Sequence, residues 1–405
     1  MLSSPAPANR PRQQLEGIRV VDLTRILAGP FCTLHLADLG AEVIKIEPPE
    51  GDPIRAQGHG HAGLSWYFAA FNRNKRSVRL DLRSPGGMAA LRKLIATADV
   101  VVDNFRPDVM EHMGLDWTTL QTLSPGLIHT SINGFGETGP YAQRPSFDFI
   151  AQAMSGFMSL NGNAQTGPLR TGVPISDLVA GTYAALGTVA ALVRRGQTGE
   201  GERVSTSLVD GLMSMGAFFA SNFLATGELP QANGNDHGLV APYGLFSAAD
   251  GEIAIAPSND GVYFKLLKAL NLSHLKDDAR FASNALRVQH RAEINAQIND
   301  ALRSHSRAHW IDVLNAAGVP AGTVQTLAGA YADPQVHHQQ MVMDVEHPGH
   351  GTVKMLGFPI KFTQSPCEVR LPAPDLGADT QAVLRELGYD DEQIRQLNTS
   401  QETTS

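Results

Sequence analysis

Ile18-Arg-Val-Val-Asp-Leu23, Gly29-Pro-Phe-Cys-Thr-Leu-His-Leu-Ala-Asp-Leu-Gly40 and Ala41-Glu-Val-Ile-Lys-Ile-Glu47 follow one another near the start of the chain. The first and third runs are short and rich in β-branched residues, as buried strands are. The middle run is of helical length and is closed by Gly40. Strand, helix and strand at this spacing make a right-handed βαβ crossover with parallel strands. No G-x-G-x-x-G follows the first strand, so a nicotinamide or flavin dinucleotide site loses its main support.

The alternation continues outward from this unit. A helix is expected over 86–98, buried strands at 99–103 and 127–132, a strand at 201–207 and a helix over 209–224. This is an α/β chain with a Rossmann-like parallel sheet covered by helices on both faces. Ligands of such sheets bind outside the carboxyl ends of the strands, so the loops after Glu47, Asp103 and Ile132 are the places to search. Residues 226–244 are rich in Gly, Asn and Pro and read as a linker or active-site loop. Beyond it, a strand at 251–256 and helices over 261–270, 291–304 and 307–317 form a smaller α+β domain, and Gly318-Val-Pro320 stops the last of them. The chain then turns to β character near 352–356 and ends in helices over 378–387 and 391–397. The expected organisation is a disordered lead-in over 1–14, a large domain over 15–224, a small domain over 225–330, and a segment over 331–405 that returns to the large domain.

With 405 residues, two domains are expected. A net charge of −8 argues against a nucleic-acid or membrane-surface partner, so any anionic ligand must be held by local basic clusters. Two cysteines, Cys32 and Cys367, cannot make a disulfide framework and fit a reducing, cytoplasmic setting. The N-terminus has no apolar signal-peptide core. The uncharged run over 178–193 is shorter than the ~20 residues a bilayer requires, and reads as a buried helix.

Asp177 stands at the mouth of that run, behind Pro174 and Ser176. A carboxylate in the first turn is favoured as the ion by roughly 0.3–1 kcal/mol, and a desolvated carboxylate is a competent nucleophile toward an activated acyl group. It could equally be a capping Asp on a core helix. The densest basic stretch, Asn72-Arg-Asn-Lys-Arg-Ser-Val-Arg-Leu-Asp-Leu-Arg83, suits phosphates or a solvated edge. Asn104-Phe105-Arg106 adds an aromatic ring and a guanidinium after a strand, and Asn133-Gly134-Phe-Gly136 offers bare backbone to an oxyanion. His59-Gly-His61 has no third ligand at a metal-site spacing, so no metal is expected. A phosphate-rich ligand site with a carboxylate nucleophile and no dinucleotide fingerprint fits acyl-CoA chemistry.

Taken in order, several stretches resemble one family, the class III CoA-transferases, which also include the α-methylacyl-CoA racemases. They are Leu15-Glu-Gly-Ile-Arg-Val-Val-Asp-Leu, Asp38-Leu-Gly-Ala-Glu-Val-Ile-Lys-Ile-Glu, Asn74-Lys-Arg-Ser, Asn104-Phe-Arg-Pro, the Asp177 helix, Gly318-Val-Pro-Ala-Gly322 and Asp375-Leu-Gly. The resemblance runs from Leu15 to Leu397. It implies acyl exchange between a CoA thioester and a carboxylic acid, with Asp177 as covalent nucleophile and no permanently bound cofactor. It also implies an interlocked homodimer, and CoA contacts from Arg25, Ala28, Asn74, Lys75, Arg76, Leu80, Arg83, Asn104, Phe105, Arg106, Asn133, Gly134 and Gly136. Formyl-CoA transferases carry other residues at Leu27, Pro48, His112 and Asn133, which argues against an oxalate enzyme. The racemases use a His where this chain has Phe147, which cannot exchange a proton. Transfer from succinyl-CoA to a short dicarboxylate such as itaconate, mesaconate, malate or citramalate is therefore the expectation. Arg170 and His237 are candidates for the distal carboxylate. A racemase or a non-catalytic CoA-binding protein are the alternatives.

Overall fold

The computed structural model describes residues 11–402. Most of the expected lead-in lies outside that range. Its last part is packed: Gln13 is buried, and the Gln14 amide donates to the Ser365 hydroxyl at 2.8 Å. The chain divides into two compact units. One runs through Ser155 and adds Gly172–Ala217 and everything from Gln335; the other is Gly156–Thr171 with Phe218–Pro334.

The first unit is built on six strands: β1 Arg19–Asp22, β2 Glu42–Glu47, β3 Lys75–Arg79, β4 Val100–Asp103, β5 Ile128–Asn133 and β6 Glu202–Ser207. They lie in the order β3-β2-β1-β4-β5-β6, and each neighbouring pair is parallel. This is the doubly wound order, with its switch point between β1 and β4. The helices of this unit that bear on the site include α1 Ala28–Asp38, α2 Trp66–Asn72, α3 Pro85–Ile95, α4 Trp117–Leu123, α5 Asp148–Met154, α6 Ile175–Thr198 and α7 Leu208–Ser214.

Strand alternation sends successive side chains to opposite faces, and each face has its own core. Val21, Ile44, Val78 and Val101 pack with Leu91 and Leu94 of α3 and with Val383 and Leu384 near the C-terminus. Val20, Val43, Val100 and Ile128 pack with Cys32 and Leu36 of α1 and with Ala180 and Ala184 of α6. The length and apolarity of α6 would let it cross a bilayer, but its Ala-rich stripe is part of this sheet-covering core.

Two elements differ from the sequence expectation. The basic stretch at 72–83 contains the edge strand β3, whose alternating charges conceal its strand pattern. Its exposed amides are covered by the C-terminal segment: Ser77 N–H donates to Asp379 at 2.9 Å and Arg79 N–H to the Thr380 hydroxyl at 2.9 Å. Covering an edge in this way blocks pairing with other chains. The helix expected over 209–224 is broken at Met215–Gly216, where Ala217 takes a φ of 45°. The chain passes between its two units there, so the unit boundary falls earlier than 224. Gly156–Thr171 also belongs to the second unit, which contact patterning in a linear sequence does not reveal.

That second unit is α+β. Gly251–Ile255 is the middle strand between Gly244–Ala248 and Ala321–Thr323, all antiparallel. Phe246, Ile253, Tyr263, Leu266, Ile294, Ile298 and Leu314 fill its core. The buried Arg287 guanidinium stacks over Tyr263 at 4.2 Å and pairs with Asp260.

The approach of α6 to α1 depends on Gly181. A Cβ there would stand 2.6 Å from the Ala28 carbonyl oxygen, so any side chain must push the helices apart. Gly196, on the same helix, faces open space and has no atom within 4 Å. Gly181→Ala is expected to cost about 1–3 kcal/mol by overpacking, and Gly196→Ala to gain up to about 1 kcal/mol from helix propensity. Urea unfolding midpoints of the two variants moving in the same direction would contradict this account.

Candidate active site

Loops leaving the carboxyl ends of β1, β4 and β5 converge with the start of α6 on one cavity of about 210 Å³. Its lining includes Arg25, Leu27 and Ala28 after β1, Asn104, Phe105 and Arg106 after β4, Asn133 and Gly134 after β5, and Arg144, Phe147 and Asp177. It therefore sits at the topological switch point, where a doubly wound sheet opens a crevice. A second cavity of about 290 Å³ shares Arg25 and Phe105 with the first and reaches Leu80 and Arg83. The first cavity gathers the three strand-end loops around Asp177. A larger cavity of about 480 Å³ lies among Gln340, Phe358, Lys361 and Cys367, and shares no lining residue with these two.

Asp177 is the third residue of α6, yet it caps nothing. The residue before the helix, Pro174, has no side-chain cap, and the Asp177 carboxyl has no hydrogen-bond partner among the described residues. Asp148, at the start of α5, does the capping instead. One of its oxygens accepts from the Ser176 amide at 3.0 Å and the Ser176 hydroxyl at 2.9 Å, and the other from the Gln152 amide at 2.8 Å. Burial, and secondly the charge of Asp148, push the Asp177 carboxyl up to about 7. The first-turn dipole was expected to favour the ion; desolvation and a like charge outweigh it here. Burial and the charge of Asp177 also raise the phenol of Tyr67. Tyr67 did not stand out in the sequence, and Asp148 only as the residue after Phe147 in the segment where the racemases carry a His; the significance of both is their nearness to Asp177.

Each loop residue at the cavity is held for a reason. Asn104 accepts from the Arg25 amide at 3.0 Å and donates to the Arg25 carbonyl at 2.8 Å, which locks the β1 turn to the β4 loop. Asn133 accepts from the Gly136 amide at 2.5 Å, leaving its buried Nδ2 donor unpartnered. Gly134 is needed for space, since a Cβ would lie 2.4 Å from that of Ser146. Arg144 stacks on Tyr141 at 3.7 Å. The guanidinium groups of Arg25, Arg106 and Arg144 have no carboxylate partner among the described residues.

Other expected site residues lie elsewhere. Asn74, Lys75 and Arg76 were expected to grip phosphates, and the structure uses all three internally. Asn74, at a φ of 62°, accepts from the Arg370 and Leu371 amides at 2.7 and 3.0 Å and so anchors the returning C-terminal segment. The wholly buried Lys75 ammonium bonds Asp22 at 3.2 Å, the Thr33 hydroxyl at 2.8 Å and the Pro30 carbonyl at 3.0 Å. Arg76 bridges Glu42 at 2.7 Å and Glu386 at 2.8 Å. Arg83 lines the second cavity but is paired with Asp81 at 2.8 Å. Arg170 and His237 belong to the second unit. Arg170 donates to the Thr171 carbonyl at 3.0 Å; His237 accepts from the Leu239 amide at 3.0 Å and stacks near Phe218.

Comparison with known proteins agrees with this geometry. The family model described as CoA-transferase family III matches residues 15–380. The chain is 38% identical to succinate–glutarate CoA-transferase of Agrobacterium fabrum, over 92% of this chain and 95% of that one. It is 35% identical to succinyl-CoA–D-citramalate CoA-transferase of Chloroflexus aurantiacus, over 94% and 95%. A crystal structure of a CAIB/BAIF family protein from Brucella suis superposes with a TM-score of 0.82 at 39% identity, covering 93% of this chain and 99% of that one. A match that spans both the sheet and the loops at its carboxyl ends makes the chain an enzyme of CoA-transferase family III.

Proposed function

We propose that the enzyme moves CoA from succinyl-CoA to a short dicarboxylate through covalent intermediates on Asp177. The observation that carries this reading is an unbonded, desolvated carboxylate in a cavity with three unpaired guanidinium groups. The Asp177 oxygen attacks the thioester carbonyl, the C–S bond breaks, and succinyl-aspartyl anhydride and CoA thiolate form. The thiolate then attacks the Asp177 carbonyl and expels succinate, leaving an aspartyl-CoA thioester. Attack by the acceptor carboxylate forms a second anhydride and frees the thiolate again, and thiolate attack on the acceptor's carbonyl releases the new acyl-CoA and Asp177. The unpartnered Asn133 Nδ2 and the first amides of α1 at Ala28 are the donors suited to the oxyanion of each step.

Coenzyme A is assigned to the two joined cavities, its nucleotide along Leu80, Arg83 and Phe105 and its thioester at Ala28, Asn104 and Asn133, with Arg25 and Arg106 on the phosphates. The relatives named for glutarate and D-citramalate point to five-carbon dicarboxylate acceptors, and glutarate joins mesaconate, citramalate, itaconate and malate as a candidate. Phe147 lines the cavity, 66% exposed, and supplies no base, which weighs against racemisation. The enzyme is assigned to the cytoplasm as a homodimer; Leu186 and Val193 of α6, each 61% exposed, are apolar surface that a partner would cover.

Mixing the enzyme with succinyl-CoA and hydroxylamine should convert Asp177 to a hydroxamate, seen by intact mass, with matching inactivation and no change in Asp177→Ala. Unmodified protein across several acyl-CoA donors would defeat the covalent mechanism.

The raised Asp177 carboxyl has two consequences. Activity needs the ion, so kcat/KM for acyl-CoA should rise with pH through about 7. Asp148→Asn removes the secondary cause and should move that limb to lower pH, though burial keeps it above the ordinary carboxylate range. For stability, the folded state holds its proton more tightly than the unfolded one, so stability is lost as pH climbs from 3.8 to about 7. Asp177→Asn should therefore be nearly neutral at pH 4 and stabilising by on the order of 2–4 kcal/mol at pH 8. A difference in denaturation midpoint that does not grow with pH would contradict the desolvated carboxyl.

A further inference from the structure

The turn between β1 and α1 holds a backbone conformation that its sequence disfavours. Ile26 has a φ of 70°, a region that a β-branched residue enters only when its surroundings over-determine it. The surroundings here are buried side chains bonded to backbone. Asp52 offers both carboxylate oxygens to the Ile26 amide, at 3.1 and 3.2 Å. Lys45, whose side chain is 0% exposed, pairs with Asp52 at 2.9 Å and donates to the Thr24 carbonyl at 2.8 Å. Asn104 holds Arg25 between them. Three consecutive residues are thus fixed by groups from β2, from the loop after it and from the loop after β4.

What this turn presents is the floor of the active-site cavity, since Arg25, Ile26, Leu27 and Ala28 all line it. A buried ion pair is a poor source of stability, because a well-packed apolar pair of like volume commonly does as well or better. Asp52 also caps the short turn that follows it, through the Ile54 amide at 3.2 Å, but a neutral Asn or Ser could do that. Holding Ile26 in place is the task that needs a two-oxygen acceptor held immobile by Lys45.

We propose that Lys45 and Asp52 are positioning residues for acyl transfer, holding Ile26 in the left-handed region so that Arg25, Leu27 and Ala28 meet the thioester beside Asp177. The link to the thioester rests on the CoA-transferase mechanism proposed above; the restraint on the turn does not. Glycine adopts a φ of 70° without steric cost, and this supplies a discriminating experiment.

Asp52→Asn should lower kcat/KM for succinyl-CoA tenfold or more, with most of the loss in kcat. Adding Ile26→Gly to that variant should restore it to within about threefold of the unmodified enzyme. A merely structural role predicts the opposite, since glycine would loosen the region further. The proposal falls if Asp52→Asn stays within twofold of the unmodified enzyme, or if the double variant is no better than the single one. Should the lone buried Lys45 prevent folding, Lys45→Met with Asp52→Leu removes both charges, and the same comparison with and without Ile26→Gly applies. Amide hydrogen exchange reads the restraint without turnover. Residues 23–30 should exchange at least tenfold faster in Asp52→Asn while β5 is unchanged, and equal exchange would overturn the restraint. An unmodified enzyme inactive with every acyl-CoA donor would instead count against the transferase mechanism alone.

Discussion

The active site depends on one backbone contact, the meeting of α6 and α1 where Gly181 lies against the Ala28 carbonyl. With no Cβ between them, the helices approach closely enough that Asp177, one turn earlier on α6, reaches the cavity formed by the β1 turn. Both helices cover the same face of the sheet through Cys32, Leu36, Ala180 and Ala184. The small side chains of that stripe are what allow the Asp177 carboxyl on one helix to face the N-terminus of another.

Beneath this contact lies a floor of buried charge. Asp22 with Lys75, and Lys45 with Asp52, are inaccessible to solvent and bond one another and the backbone of the β1–α1 turn. Breaking such a pair strands a charge in a low-dielectric interior, which costs several kcal/mol. The turn is therefore stiff although it is a loop. Rigid loops on a sheet's carboxyl edge are a general way to hold reacting groups in place without paying an ordering cost at each turnover.

The same economy explains how the chain uses its basic residues. The densest cluster, at 72–83, looks like a phosphate grip in one dimension. In three dimensions Asn74, Lys75 and Arg76 hold an edge strand to the returning C-terminal segment and to the buried floor. Among the described residues, the scattered Arg25, Arg106 and Arg144 at the cavity, each on a different loop, are paired with no carboxylate. Local charge density does not reveal this pairing, because partners such as Glu386 and Asp379 lie some three hundred residues away. Cavity residues that were legible, among them Asn104, Phe105, Arg106, Asn133 and Gly134, lie at or just after strand ends, and their place at the sheet's carboxyl edge comes from topology that periodicity reveals.

The sequence by itself determined the parallel sheet, its two apolar faces, the family and the place of Asp177 at the mouth of a small-residue helix. Each of these is written in local periodicity, in strand-end loops or in a run of small residues that has no other use. Only the tertiary structure decided which basic groups stay free, that Asp148 rather than Asp177 caps α6, and that Asp177 is desolvated beside a like charge. It also decided the left-handed Ile26 and the division of the chain at Ser155 and Ala217. These follow from distances between residues far apart in sequence, and burial and Coulomb energy depend on those distances rather than on order along the chain.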